Sequence, residues 1–69
     1  MSIDRGTHLE TMTAGGERIV LVALGPARRG RDIPVVPVCT VGDFDRATAN
    51  GTDPEEFLWP LKAVRELQP

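Results

Sequence analysis

Cysteine is almost missing from this chain: Cys39 is the only one in 69 residues. An internal disulfide is therefore excluded, and because His8 is the single histidine, no Cys/His set at zinc spacing can be assembled. Aromatic residues are nearly as scarce, with two Phe, one Trp and no Tyr. None of them is interleaved with the arginines, so no platform for stacking successive bases is encoded. The net charge of -2 at pH 7 argues against general attraction to polyanions. No apolar run approaches the roughly 18 residues that a membrane helix needs. Met1 to Glu10 is polar throughout and carries no apolar signal segment. A lone thiol, no export signal and no membrane span together predict a cytoplasmic protein with no membrane partner.

What is present is concentrated in the middle. Two apolar runs, Ile19 to Leu24 and Ile33 to Val41, flank the short basic connection Gly25-Pro26-Ala27-Arg28-Arg29-Gly30-Arg31-Asp32. β-branched runs separated by Gly, Pro and Asp predict a hairpin. In both runs the odd and the even positions are apolar, so neither face of either strand can stay wet. Pro34 and Pro37 interrupt the second run. Their odd spacing puts the two missing donors on opposite edges, which predicts a bulged or peripheral strand. Charge is spread unevenly: residues 1–24 carry a net -1, residues 25–31 carry +3 and residues 32–69 carry -4.

Residues 1–16 hold only isolated apolar side chains, Ile3, Leu9 and Met12, and predict a flexible N-terminal arm ending in Gly15-Gly16. Residues 17–69 then form one small domain. A chain this short removes only about 60% of its unfolded surface from water, so tight packing or association with another subunit must supply its stability. After Val41, the segment Gly42 to Gly51 suits one or two helical turns, with Thr40 or Asp43 near the start and Asn50-Gly51 as the stop, and equally a strand and a loop. Asp53-Pro54-Glu55-Glu56 has the composition of a helix N-terminus. Phe57, Leu61 and Val64 follow at helical spacing. Pro60 breaks that pattern, predicting a short turn at Pro54 to Leu58 and a fresh helix opened by Pro60 itself. The expected fold is α+β: a small hairpin-based sheet packed with a short C-terminal helix.

The closing segment, Phe57-Leu58-Trp59-Pro60-Leu61-Lys62-Ala63-Val64-Arg65-Glu66-Leu67, also resembles the end of an SH3-like small β-barrel. There a strand, a tight turn and a last strand close the sheet. The resemblance implies an alternative fold and carries no functional residues with it.

Catalytic signatures are wanting. Asp43, Asp45, Asp53, Glu55 and Glu56 fall within fourteen residues, but the fifth and sixth positions counted from Asp43 are Ala47 and Thr48, which is wrong for a calcium loop. These acids read as solvated loop and helix-cap residues. Cys39 lies between Val38 and Thr40 in an apolar strand and reads as a buried, inert thiol. The glycines beside Arg28 lack the lysine and hydroxyl of a phosphate-binding loop. The expectation is a protein that is not an enzyme, with no catalytic, cofactor-binding or metal residues and no cofactor.

Two clusters remain. Phe57, Leu58, Trp59 and Pro60 form the densest group of large apolar side chains, either core filler or partner-binding anchor. Arg28, Arg29 and Arg31 crown the hairpin and suit an anion, whether nucleic-acid phosphate or an acidic protein patch such as Glu55/Glu56 of a second subunit. The preferred expectation is a non-catalytic protein–protein association module, as a homodimer or a subunit of a larger complex. The alternative is a nucleic-acid-associated regulator using the arginine-tipped hairpin. A third possibility is an inhibitor that mimics nucleic acid through the acidic C-terminal half.

Overall fold

The two apolar runs do pair. In the computed structural model, which describes residues 3–67, Arg18–Ala23 and Pro34–Thr40 run antiparallel, with Val22 opposite Cys39 and Ala23 opposite Val38. Between them Arg28–Arg29 folds back on the start of the second run, Arg28 opposite Val35 and Arg29 opposite Pro34. In chain order the strands are β1 (His8–Met12), β2 (Arg18–Ala23), β3 (Arg28–Arg29), β4 (Pro34–Thr40), β5 (Phe57–Pro60) and β6 (Arg65–Glu66), with one helix, α1 (Val41–Asn50), between β4 and β5. The sheet runs β3-β4-β2-β1-β6, and β5 pairs with the other edge of β4. The result is a curled antiparallel sheet, half a barrel, with one helix against it. Among the described residues, no helix is long and apolar enough to cross a membrane.

The prolines of β4 sit at the ends of its pairings. The carbonyl of Pro37 accepts from the Leu24 amide at 2.8 Å, which shows that Pro37 and the other odd residues of β4 turn their backbone groups toward β2. On that edge β2 pairs with residues 38–40 and β3 with residues 34–35. Pro37 therefore lies opposite Leu24, one step beyond the Ala23–Val38 pair, and its missing donor leaves the Leu24–Pro37 pair with one hydrogen bond in place of two. Pro34 turns toward β5 but precedes the four residues, Val35 to Val38, that β5 pairs with. Pro37 thus ends the regular β2–β4 pairing, whereas Pro34 removes no ladder hydrogen bond; paired on both edges, β4 is an interior strand and not the bulged or peripheral one that its prolines predict.

Both faces are covered over the middle of the runs, while Val20 and Ile33 at their ends stay exposed. Leu9, Leu21, Ala23, Val36 and Val38 line the concave side with Ile3, and Ile19, Trp59, Leu61 and Val64 pack against them. Val22 and Cys39, opposite each other on the convex side, are wholly buried. Helix α1, whose Ala47 is buried, packs on β2 and β4 there. Thr40 caps the helix by accepting the Asp43 amide at 3.2 Å. Gly51, at φ 67°, ends it in the left-handed conformation that glycine adopts without strain.

Two further expectations are corrected. The segment read as a flexible arm supplies β1, which pairs with both β2 and β6 and buries Leu9 completely. Its inward residues are Leu9 and Thr11, so one of the two is polar and the strand pattern is masked. The expected C-terminal helix is not formed. Residues 57–66 are strand, a single 3-10 turn at Leu61–Ala63, and strand, the order of the barrel-like alternative. The three-residue spacing of Leu61 and Val64 brings both onto the core across that tight turn, without continuing as a helix.

Candidate interaction surface

The apolar cluster at residues 57–60 divides by function in the fold. Trp59 and Phe57 lie opposite Val36 and Val38, on the concave side, and Leu58 lies opposite Pro37. Trp59 is half-buried against the core. Its indole N–H donates to Thr11 Oγ1 at 3.2 Å, and that hydroxyl donates in turn to the Ala63 carbonyl at 2.7 Å. A buried indole needs an acceptor, and here the chain provides one. Phe57 and Leu58 are different. They remain 44% and 54% exposed, at the end of β5 where the sheet stops.

The backbone of β5 is equally uneven. Because the odd residues of β4 face β2, its even residues face β5. Hence Phe57 and Trp59, opposite Val38 and Val36, turn their amides and carbonyls inward. Leu58 turns both its amide and its carbonyl outward. Glu56 and Pro60 share that outward phase, although Pro60 has only a carbonyl to offer. Among the described residues, β5 pairs with β4 alone, so this edge presents unmatched hydrogen-bonding groups beside two exposed apolar side chains.

The arginine cluster is also split. Arg28 pairs with Glu56 of the same chain at 3.2 Å, the role that sequence reasoning assigned to a second subunit. Both partners are about half exposed, so the pair contributes little stability. Arg29 and Arg31 are exposed, and among the described residues no ion pair engages them. The turn that carries them is tight: the Gly30 amide donates to the Ile33 carbonyl at 3.0 Å, and a Cβ on Gly30 would lie only 2.5 Å from that oxygen. Glycine is required at this position.

The remaining chemistry-bearing residues do not assemble. Asp43 pairs with Arg46 on the first turns of α1 at 2.9 Å, and Arg65 pairs with Glu10 across β6 and β1. Among the described residues, no three His, Cys, Asp or Glu side chains converge. Burial pushes the Cys39 thiol above its ordinary value, and the negative charge of Asp43 adds to the rise against a smaller opposing effect of Arg5. Arg5 lies over the Phe44 ring at 5.6 Å, tying the segment before β1 to the helix. Sequence reasoning missed the Thr11 hydroxyl as the link between β1, Trp59 and the 3-10 turn, because a polar residue in a polar segment carries no signal of burial. No protein-family model matches the chain, and no significant match was found among curated proteins or solved structures.

Proposed function

We propose that this chain is a non-catalytic protein–protein association module whose binding surface is the outer edge of β5, centred on Phe57 and Leu58 with Pro60 at its end. One observation carries the proposal. Isolated apolar residues on a surface are ordinary, but here two adjacent ones flank a strand edge whose amide and carbonyl groups point away from the sheet. Such an edge is a template for another extended chain. Trp59 supports this surface from behind as part of the core. The test is a photo-crosslinking residue placed at position 57 or 58 of the full chain in its native host, with the exposed position 17 on the β1–β2 turn as control. Protein adducts specific to 57 and 58 are expected. Their absence, or equal labelling from position 17, overturns the proposal.

A second reading rests on Arg29 and Arg31, exposed on a glycine-dependent turn. They would contact the phosphates of a nucleic acid, as a regulator of that class requires. Retention on an anionic polymer at low salt that disappears in the Arg29→Ala/Arg31→Ala variant supports it. Three or fewer phosphate contacts give a shallow salt dependence, so indifference to both arginines removes this reading.

A further inference from the structure

We infer that the partner on the β5 edge is a second copy of this chain, with the two β5 strands pairing antiparallel about a two-fold axis at Leu58. The inference rests on the association reading above and specifies its partner. Three features of the edge select this occupant.

First, the outward backbone groups match themselves. With Leu58 opposite Leu58 of the second copy, each amide meets the other's carbonyl. Each Glu56 amide then meets the carbonyl of Pro60 of the second copy, giving four hydrogen bonds in which the missing proline donor is needed only at the outermost position. Centring on Phe57 also makes four hydrogen bonds, between Leu58 and Glu56, but it sets the Leu58 side chain against a carboxylate and Trp59 against Glu55, so the side chains decide for Leu58. The remaining registers do worse. Centring on Pro60 opposes two residues without donors, and centring on Glu56 opposes two carboxylates and sets Leu58 against Pro54.

Second, the same register places Phe57 opposite Trp59 of the second copy, twice. Directly opposed aromatic side chains are among the more favourable cross-strand pairs. The exposed part of Phe57 would be covered by this contact, and Leu58 by its own symmetry mate.

Third, the two ends of the edge carry opposite charge. Asp53 and Glu55 precede β5, and Lys62 follows it, while Glu56 is already paired with Arg28 of its own chain. Antiparallel pairing sets the acids of each copy beside Lys62 of the other. Parallel pairing would set acids beside acids.

The experiment uses the full chain and three proteins: the unmodified sequence, Leu58→Lys and Leu58→Cys. Sedimentation equilibrium of the unmodified chain is expected to show twice the 7.5 kDa chain mass as concentration rises. Leu58→Lys is expected to weaken self-association at least tenfold while retaining the circular dichroism spectrum of the fold. Leu58→Cys is expected to form a disulfide-linked dimer under mild oxidation, since opposed residues of a hydrogen-bonded pair lie about 5.5 Å apart between Cα atoms, within disulfide reach. Cys39 is wholly buried and does not compete. A single-chain mass at all concentrations overturns the inference. So does a dimer that Leu58→Lys leaves intact and Leu58→Cys fails to link. If the chain is monomeric but position 58 crosslinks to a different protein, self-pairing fails and the association reading survives. If no protein is crosslinked at all, both fail.

Discussion

β4 and β5 are neighbours in one ladder and nearly equal in apolar content, yet their fates differ. Val36, Val38 and Cys39 of β4 are fully buried, while Phe57 and Leu58 of β5 are about half exposed. The cause is position. β4 has partners on both edges and layers on both faces; β5 has one partner and ends the sheet. Hydropathy alone therefore identifies a strand but does not say whether the strand is interior or an edge, and it is the edge that remains available to another molecule.

The sharpest way to break this comparison is to place the same charge on both strands. Val36→Asp buries a carboxylate with no partner and is expected to prevent folding, whereas Leu58→Asp is expected to leave the circular dichroism and the thermal transition of the monomer nearly unchanged. Equal damage at both sites would show that β5 is not the exposed edge described here. Next in size is Thr11→Val, which leaves the Trp59 indole N–H without its acceptor and removes the bond to the Ala63 carbonyl. A loss of about 1–3 kcal/mol in denaturant titration is expected, with a change in tryptophan fluorescence that marks β5 as the strand affected. Removing the helix cap by Thr40→Ala should cost about 1 kcal/mol, showing how far the convex-side cover over Cys39 contributes.

Cys39 itself gives a pH prediction. Its thiol is raised in the folded protein, so between its ordinary value of 9.0 and the folded one the native state holds a proton that the unfolded state has released. Stability attributable to this group is intact below about pH 9 and falls as pH rises beyond it; Cys39→Ala should flatten that decline in alkaline melts. The smallest effect belongs to the edge. Leu58→Ala in dilute solution should change stability by less than about 0.5 kcal/mol, and a larger loss would mean that Leu58 is packed within its own chain.

Parts of this architecture were legible in the sequence because one local signal decided them. The hairpin followed from β-branched runs around Gly and Pro; the caps of the helix at 41–50, Thr40 and Asn50-Gly51, were visible too, although the residues between them fitted a strand and a loop as well. β1 was hidden because Thr11 buries its hydroxyl against residues about fifty positions away, a satisfaction that no local pattern records. The C-terminal segment misled for a different reason. Phe57, Leu61 and Val64 fit helical spacing, but Phe57 and Trp59 also fit the two-residue period of a strand, and eleven residues containing Pro60 do not separate the two. The arginine cluster was visible as charge; that Glu56 of the same chain would take up Arg28 depends on the sheet folding across β4, and no spacing encodes it.

Amide hydrogen exchange at Leu58 and Trp59, followed as a function of protein concentration, tests the central claim most directly. Leu58 turns its amide outward and Trp59 turns its amide to β4, so in dilute solution Leu58 should exchange quickly and Trp59 slowly. With rising concentration Leu58 should become protected while Trp59 stays as it was. Protection of Leu58 that is already complete at high dilution, or that never develops, would contradict an open edge that closes on a second copy.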